Sequence, residues 1–542
     1  MCKREGRTAV RVNKKVLAAC VAAITAGAMV SNVCATEPVV KGPEAVHDWY
    51  EAGRTFVEES KNLQRNHRRA KNVILFVGDG MGVSTVTASR ILDGQLKGRP
   101  GEENRLFFET LPYLALSKTY SWDQQTSDSA PTMTAMVTGY KAREGMLSVN
   151  HTTKRFEGDA NVIAANSLET ILEQAAKAGK DTGVVSTARL THATPAANYA
   201  HTSVRDWESD AEIRSYEAAN KLPDGSLTVK DIARQLIELP PVVKKSLKVA
   251  MGGGRTYFLP TSVKEPEGGS AGRRKDGRDL TGEWVTTRGA GAKYVWNKQQ
   301  FDAADAPNTT YLLGLFENSH LQYEADRAAD KAGEPSLTEM TEKAIQLLSK
   351  NHKGFYLHVE SGRIDHAHHA GNAKRALLDT IEFAKAVQKA YEMTDPEETL
   401  IIVTADHSHV FTIAGYPHRG NSILGLTAEV PNKDGEAVAP SKDSLGLPYT
   451  TLGYANGPGW RDATKIATKR PDLSGVDTTA LGFLQEAAVP LGSETHAGED
   501  VAIYASGPKA YLVRGTMEQN WIYHVMREAF GLDGRNFAWQ QW

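Results

Sequence analysis

The chain has 542 residues, of which 41% are hydrophobic, so it can bury a large core in one domain with insertions or in two domains. Its formal net charge is −2. Six Lys and Arg residues but only one Glu fall within residues 1–35, so the rest of the chain is more acidic still. This balance argues against nucleic-acid binding as the main role.

Residues 1–35 have the pattern of a signal peptide. Basic residues come first, an uncharged and largely apolar stretch covers residues 16–30, and Val33-Cys34-Ala35 provides small residues for cleavage. An uncleaved membrane anchor is the alternative, but the apolar stretch is short for a span. We therefore predict an exported protein, periplasmic or secreted.

The cysteines and the C-terminus give further expectations for an exported protein. Cys2, Cys20 and Cys34 all precede residue 36, so the mature chain would have neither disulfides nor thiolate metal ligands. The C-terminal residues Phe537-Ala-Trp-Gln-Gln-Trp542 form no apolar tail, and we expect no lipid anchor.

Residues 36–70 are predicted to form a charged N-terminal arm, helical from about residue 43. Its apolar side chains are Trp49, Tyr50, Phe56 and Val57. They would be buried either against a partner subunit or on the body of the same chain.

Residues 71–542 are predicted to form the catalytic domain, in which strands alternate with helices. In chain order we predict a strand at 73–77, a helix at 166–179, strands at 183–187 and 355–359 with helices at 337–348 and 373–391, a strand at 399–404, a strand at 501–504 and a helix at 517–530. This pattern indicates an α/β fold with a large, mostly parallel central sheet and helices on both faces. Residues 261–295 and 415–495 break the pattern and are interpreted as insertions at the catalytic rim, the second of them crown-like.

Four of these apolar runs are each followed by side chains that bind divalent metals. The candidates are Asp79 after the first, His192 and Thr194 after the second, Glu360, Asp365, His366 and His369 after the third, and Asp406 and His407 after the fourth. Ligands of open α/β sheets bind beyond the carboxyl ends of the strands. The regularity therefore favours one polynuclear metal site over independent polar loops.

Ser129 is the candidate nucleophile. It precedes Ala130-Pro131 at the predicted start of a helix, where unpaired amides favour an anion such as phosphate. The alternative is that Ser129 is simply the N-cap of this helix. A nucleophilic serine needs a base or a metal, and Ser129 does not stand in a Gly-x-Ser-x-Gly elbow that would supply the former.

From about residue 49 to residue 530 the chain resembles the alkaline phosphatases. Seven segments, in order, carry the resemblance: Gly78-Asp79-Gly80-Met81-Gly82, Asp128-Ser129-Ala130, His192-Ala193-Thr194, His201-Thr202-Ser203-Val204-Arg205, residues 360–369, Thr404-Ala405-Asp406-His407 and Thr495-His496-Ala497-Gly498. His192 and His366 stand where some bacterial members carry Asp and Lys, so the chain looks closer to the animal-type enzymes. The resemblance implies a homodimer that hydrolyses phosphate monoesters of broad structure through a phosphoserine on Ser129.

The resemblance also implies the roles of the site residues. One Zn²⁺ ion would be held by Asp365, His369 and His496. A second Zn²⁺ ion would be held by Asp79, Asp406 and His407. One Mg²⁺ ion would be held by Asp79, Thr194 and Glu360. Arg205 would bind two phosphate oxygens through its planar guanidinium, and His192 and His366 would lie just outside the metal ligands.

Two departures from the family pattern affect these expectations. Thr194 replaces the Ser common in animal members but keeps the hydroxyl. A calcium site of the animal enzymes would map to Glu267, the Phe316 carbonyl, Glu317 and Glu334, in a region that diverges; ordinary rim carboxylates are the alternative.

Three other functions remain as alternatives. A phosphodiesterase of the same superfamily usually has a Thr nucleophile and lacks the third metal set, in contrast to Ser129, Thr194 and Glu360. A sulfatase would need a Cys/Ser-x-Pro-x-Arg motif, which the surroundings of Ser129 lack. A protein that merely binds phosphate would not need a nucleophile together with three metal sites.

Overall fold

A ten-stranded sheet organises the molecule. The computed structural model describes residues 46–433, 437–461 and 470–532. The predicted signal peptide, the first part of the arm and the C-terminal residues 533–542 lie outside the described residues. The chain divides into two units, residues 1–42 and 43–542, and all described residues belong to the second.

The strands of the described residues are numbered in chain order. They are β1 (Asn72–Gly78), β2 (Tyr113–Lys118), β3 (Asp181–Arg189), β4 (Leu247–Gly253), β5 (Ala292–Val295), β6 (Tyr311–Leu315), β7 (Phe355–Ser361), β8 (Thr399–Thr404), β9 (Ser408–His409), β10 (Phe411–Ile413), β11 (Leu452–Gly457), β12 (Ala487–Pro490), β13 (His496–Ala497), β14 (Val501–Ser506) and β15 (Thr516–Glu518).

The α-helices are numbered in the same way. They are α1 (Val46–Asn62), α2 (Val83–Leu96), α3 (Ser129–Thr138), α4 (Ala160–Asn166), α5 (Ile171–Lys177), α6 (Ala193–Ala196), α7 (Asp210–Ala219), α8 (Ile232–Ile237), α9 (Pro241–Ser246), α10 (Arg255–Phe258), α11 (Leu280–Arg288), α12 (Lys298–Ala303), α13 (Leu337–Leu348), α14 (Arg363–His369), α15 (Ala373–Met393) and α16 (Trp521–Phe530). Three short 3₁₀ helices cover Phe107–Thr110, Arg327–Ala329 and Ala510–Leu512.

The strand order of the central sheet is β15-β2-β14-β8-β1-β7-β3-β4-β6-β5. From β8 to β5 every neighbouring pair is parallel. β14 runs antiparallel to both of its neighbours, β8 and β2. The predicted α/β class with a mostly parallel sheet is confirmed.

Helices cover both faces of the sheet. Along β1 the side chains of Val73, Leu75 and Val77 enter one core, with residues of α3, α5 and α16, while Ile74 and Phe76 enter the other, with residues of α13 and α15. This alternation explains the continuous apolar run, since a strand covered on both faces needs apolar residues at every position.

The predicted strands and helices are largely confirmed, with three differences. The helix predicted at 166–179 is confined to α5, where Thr170 and Glu173 form a capping box. The segment 517–530 begins as β15, and α16 starts at Trp521. The predicted insertion 261–295 is not wholly outside the sheet, because its last four residues form the edge strand β5.

The stretch 415–495 contributes strands to a small separate sheet, in which β11 lies between β10 and β12. A third sheet pairs β9 with β13 and brings His409 opposite His496. Across the described part of the chain, we find no helix with the length and hydropathy needed to cross a membrane.

Candidate active site

The four strands that precede the predicted metal-binding side chains are adjacent in the sheet. Their order is β8-β1-β7-β3, and all three contacts between them are parallel. Their carboxyl ends therefore lie at one edge, as the sequence pattern predicts. The structure brings the side chains that follow them into three overlapping groups.

The first group contains Asp365, His369 and His496. Nε2 of each histidine lies 3.3 Å from Asp365 Oδ1, and the two Nε2 atoms are 3.1 Å apart. His369 Nδ1 donates to the Glu494 carbonyl at 2.5 Å, and His496 Nδ1 donates to the Ser127 carbonyl at 2.8 Å. Since a carbonyl can only accept, each neutral ring keeps a lone pair on Nε2, and two such lone pairs facing each other fit a cation between them.

The second group surrounds the candidate nucleophile. His407 Nε2 lies 3.4 Å from Asp79 Oδ1, 3.3 Å from Asp406 Oδ2 and 3.1 Å from Ser129 Oγ. Asp79, Asp406 and His407 are completely buried. Nitrogen and oxygen donors around one point suit Zn²⁺, and the arrangement places Ser129 Oγ beside it.

The third group offers oxygen atoms. Asp79, Thr194 and Glu360 are each fully buried. Within the described residues no hydrogen bond reaches either carboxylate oxygen of Asp79, Thr194 Oγ1 or Glu360 Oε1, whereas Glu360 Oε2 accepts from Ser186. Buried oxygens without donors are costly unless a cation meets them, and an all-oxygen set suits Mg²⁺.

The electrostatics of the protein without metal agree with this interpretation. Burial, followed by the charges of Asp406 and Asp365, raises the pKa of Asp79 well above its usual value. Burial likewise raises the pKa of Glu360 to about 8 and that of Asp406 above its ordinary range. Carboxylates crowded in this way repel one another, so bound cations would stabilise their ionised forms.

Ser129 is the first residue of α3 rather than its cap. The N-cap is Asp128, whose side chain accepts from Ala130 N at 3.3 Å. The alternative that Ser129 serves as the N-cap is therefore wrong, and its hydroxyl is free to face His407. Asp128 also pairs with Nη1 of Arg205, which ties the arginine to the start of α3.

Arg205 and the predicted outer histidines form a half-buried layer beside the third group. Arg205 Nη2 donates to His192 Nε2 at 2.9 Å. The His192 ring lies 5.5 Å from that of His366, and His320 lies 4.0 Å from His366. Burial lowers the pKa of His366 to about 3, and burial together with Arg205 keeps His192 neutral by lowering its pKa well below the usual value.

Sequence reasoning missed two buried residues behind the first group. His409 Nε2 contacts Asp365 Oδ1 at 2.8 Å, and His409 Nδ1 contacts Glu494 Oε2 at 2.5 Å. His409 follows β8 within the segment Asp406-His407-Ser408-His409, so the rule that identified Asp406 could have found it. Glu494 lies on no strand end and had no such signal. His320, which lies beside His366, also follows no predicted strand and was missed for the same reason.

The residues proposed for calcium only partly converge. Glu267 and Glu317 come together with Asp330, which the sequence did not indicate. Burial, followed by Glu317 and Asp330, raises the pKa of the nearby Glu334 to about 9. The Phe316 carbonyl already accepts a hydrogen bond from Arg255 Nη2 at 2.6 Å, and the same nitrogen lies 3.1 Å from Glu267 Oε2.

Comparison with known proteins agrees with the geometry. The family model for alkaline phosphatase matches residues 70–532. The chain is 45% identical to an alkaline phosphatase of Gadus morhua over 494 residues, which cover 90% of this chain and 97% of the relative. It is 43% identical to the tissue-nonspecific isozyme of alkaline phosphatase of Homo sapiens over 510 residues, 92% of this chain and 91% of the relative.

Solved structures give the same fold. Thermus thermophilus alkaline phosphatase is 25% identical, with a TM-score of 0.60 and coverage of 88% of this chain and 94% of that one. The alkaline phosphatase of the Antarctic bacterium TAB5 is 22% identical, with a TM-score of 0.56 and coverage of 86% and 99%, and supports the fold.

The fold and site thus define a hydrolase of phosphate monoesters that uses metal ions. The chain belongs to the alkaline phosphatase family.

Proposed function

We propose that this enzyme hydrolyses phosphate monoesters of broad structure through a phosphoserine on Ser129. Ser129 Oγ forms a bond to phosphorus while the bond from phosphorus to the alcohol oxygen breaks, and the alcohol leaves with a proton. Water then hydrolyses the phosphoserine and restores the serine with release of inorganic phosphate. The position of the hydroxyl at the start of α3, beside His407, supports this role.

We assign the metal ligands as the residue groups suggest. Asp365, His369 and His496 would hold one Zn²⁺, Asp79, Asp406 and His407 the other, and Asp79, Thr194 and Glu360 one Mg²⁺. Bound metals would supply positive charge that favours the serine alkoxide, the leaving oxygen and a hydrolytic water. Asp79, Thr194, Glu360, Asp365, Asp406 and His407 are buried, whereas His369 and His496 are half-buried.

Arg205 would bind the phosphoryl group. Its guanidinium is fixed by Asp128 on one side and His192 on the other. Burial lowers the pKa of Arg205, but Asp128 and Asp206 raise it above its ordinary value, so the side chain stays charged. Because Arg205 would contact the phosphate oxygens and not the alcohol, the chemical step should accept many alcohols.

The single observation that carries the proposal is that Ser129 Oγ, Asp79 Oδ1 and Asp406 Oδ2 lie 3.1, 3.4 and 3.3 Å from His407 Nε2. Among the described residues, no hydrogen-bond donor reaches either of these two carboxylate oxygens. The test is turnover of p-nitrophenyl phosphate against bis-p-nitrophenyl phosphate. The protein is first stripped with a chelator and then supplied with Zn²⁺, Mg²⁺ or both.

We expect monoester turnover to vanish with the metals and to return fully with both ions, while diester turnover stays far lower. Faster turnover of the diester would favour the phosphodiesterase alternative. Phosphate binding without turnover of either ester would favour the alternative of a protein that merely binds phosphate.

The proposal extends to Ca²⁺ at Glu267, Glu317 and Glu334, with Asp330 as a further carboxylate. An ion that also used the Phe316 carbonyl would have to displace the hydrogen bond from Arg255. This extension is tested by measuring the calcium content of the dialysed wild-type protein and of Glu317→Gln. Equal calcium content in the two proteins would contradict the proposed calcium site.

We also propose that the protein is exported and forms a homodimer through its arm. Helix α1 leaves Trp49, Tyr50, Phe56 and Val57 largely exposed, although the guanidinium of Arg419 on the body lies 5.8 Å from the centre of the Trp49 ring. Light scattering after size exclusion should give twice the chain mass for the protein that begins at residue 36. A chain that begins at residue 71 should give a larger monomer fraction. N-terminal sequencing of the exported protein tests cleavage after Ala35.

A further inference from the structure

A buried carboxylate outside the proposed metal groups follows the arginine that would bind phosphate. Glu208 is only 5% exposed. Its Oε2 accepts from Arg189 Nε at 2.8 Å, and its Oε1 accepts from Arg189 Nη2 at 2.7 Å. Thr191 Oγ1 also donates to Oε2, at 2.5 Å. Both oxygens of Glu208 are therefore held by one short segment, at the end of β3 and just beyond it.

Arg189 stays charged beside Glu208. Burial lowers the pKa of Arg189, but the charge of Glu208 raises it above its ordinary value. The planar guanidinium meets the carboxylate through two parallel hydrogen bonds, which is the strong geometry for such a pair. Removal of one partner from a buried pair leaves the other charge uncompensated, so the contact between Arg189 and Glu208 resists opening.

Arg205 lies in a tight turn that ends just before Glu208. Trp207 N donates to the Val204 carbonyl at 3.2 Å, which closes a turn with Arg205 at its second position. Arg205 N donates to the Gly145 carbonyl at 2.8 Å and so holds the first half of the turn. The side chain of Glu208 holds the chain directly after the second half.

The backbone after the turn has a different anchor from the Glu208 side chain. The carbonyls of Trp207 and Glu208 accept from Ile232 N at 2.9 Å and from Ala233 N at 3.1 Å. These two bonds attach the turn to the start of α8. The carboxylate of Glu208 instead attaches it to the end of β3, on the segment that continues to the proposed magnesium ligand Thr194.

Two neighbouring contacts join the Arg205 turn to this segment. Arg205 Nη2 donates to His192 Nε2 at 2.9 Å, and Thr191, which precedes His192, donates to Glu208. Arg205 and Glu208 are three residues apart, so the two contacts and the short pieces of chain between them form a closed ring. A shift of Glu208 would therefore move Arg205 relative to the segment that carries Thr194.

We propose that Glu208 is a positioning residue that fixes the guanidinium of Arg205 for the phosphoryl group. It acts through its contacts with Arg189 and Thr191. The inference deepens the proposed phosphomonoesterase function and rests on it. Because small displacements of a group that orients the substrate are costly, loss of the Glu208 charge should weaken phosphate binding while the metals stay bound.

The test measures how inorganic phosphate inhibits turnover of p-nitrophenyl phosphate by the metal-loaded enzyme. Glu208→Gln keeps the side-chain shape but loses the charge. We expect its inhibition constant and KM to rise at least about threefold, but by no more than in Arg205→Ala. Zinc and magnesium content should match wild type by elemental analysis. Glu283→Gln, which weakens a similar two-bond pair with Arg278, should leave the inhibition constant unchanged.

A double-mutant cycle distinguishes positioning of Arg205 from a general structural role. If Glu208 acts through Arg205, Glu208→Gln should change the inhibition constant by less than about twofold once Arg205 is already alanine. The same fold-change in both backgrounds would overturn the inference. So would loss of either metal from Glu208→Gln, or an inhibition constant that stays the same or falls.

Two further measurements keep the outcome decisive. If Glu208→Gln does not fold, Thr191→Val removes one donor to the carboxylate and should give a smaller rise of the inhibition constant; no rise would overturn the inference. Absence of monoester turnover in wild type would instead contradict the proposed function. The affinity of the metal-loaded variants for inorganic phosphate, measured by calorimetry, would then still show whether Glu208 positions Arg205.

Discussion

Glu494 offers a sensitive test of how the protein positions the first metal group. Its carboxylate accepts from His409 Nδ1 at 2.5 Å and from Val410 N at 2.8 Å. Its carbonyl accepts from His369 Nδ1. One buried residue therefore orients both a proposed ligand and the histidine that holds Asp365.

The change Glu494→Gln keeps the carbonyl and the side-chain shape but replaces one acceptor oxygen with an NH₂ group. That group must face either Val410 N–H or His409 Nδ1–H, so two donors meet. Burial lowers the pKa of His409, but hydrogen bonds to Asp365 and Glu494 raise it to about 9, and His409 donates from both ring nitrogens at neutral pH. Loss of the Glu494 charge weakens this arrangement and releases Asp365.

Partners of this kind, one contact removed from a metal ligand, typically contribute 10- to 100-fold in metal affinity. We therefore expect the Zn²⁺ concentration for half-maximal reactivation of chelator-treated protein to rise about 10- to 100-fold in Glu494→Gln. Activity at saturating Zn²⁺ should recover substantially.

The matched control is Glu499→Gln, an exposed carboxylate nearby in sequence, which should behave as wild type. A half-reactivating Zn²⁺ concentration within twofold of wild type in Glu494→Gln would refute the reasoning.

Three further predictions follow from the site and its surroundings. Arg205→Ala should raise KM and weaken inhibition by inorganic phosphate while leaving metal content intact, and an unchanged inhibition constant would remove Arg205 from the site. Asp79→Ala should lose both zinc and magnesium and His496→Ala should mainly lose zinc, as measured by elemental analysis; full occupancy in Asp79→Ala would contradict the assignment. Burial raises the pKa of Asp379 to about 8, so its stabilising protonated state is lost as pH rises from about 4 to about 8. Asp379→Asn should therefore raise the melting temperature relative to wild type more at pH 8 than at pH 5, and equal shifts at both pH values would argue against a protonated Asp379.

The centre of the sheet was predictable because its strands are buried on both faces. Residues 73–77 and 399–404 are uninterrupted apolar runs, and β1 and β8 occupy these positions with one residue or less of difference at each end. The edges were not predictable in this way. β2 has the short apolar run Tyr113-Leu-Ala-Leu116, but Leu114 and Leu116 are exposed, so the run does not mark a strand covered on both faces. β15 has only three residues, too few for such a run.

Residues at strand ends could likewise be grouped from sequence, since parallel strands end at one edge. This explains why Asp79, Glu360 and Asp406 were foreseen together. Glu494, Asp330 and His320 come from loops whose path depends on tertiary packing, and no local pattern distinguishes them from surface residues. Asp128 was visible in the sequence, but its double role as helix cap and partner of Arg205 requires the geometry.

The most direct test of the central claim is to locate the covalent phosphoryl group. The metal-loaded enzyme is incubated at mildly acidic pH with labelled inorganic phosphate, quenched in acid and digested, and the label is mapped by peptide mass. We expect the label on Ser129 and none in Ser129→Ala. Label on a histidine, or undiminished labelling of Ser129→Ala, would show that Ser129 is not the nucleophile.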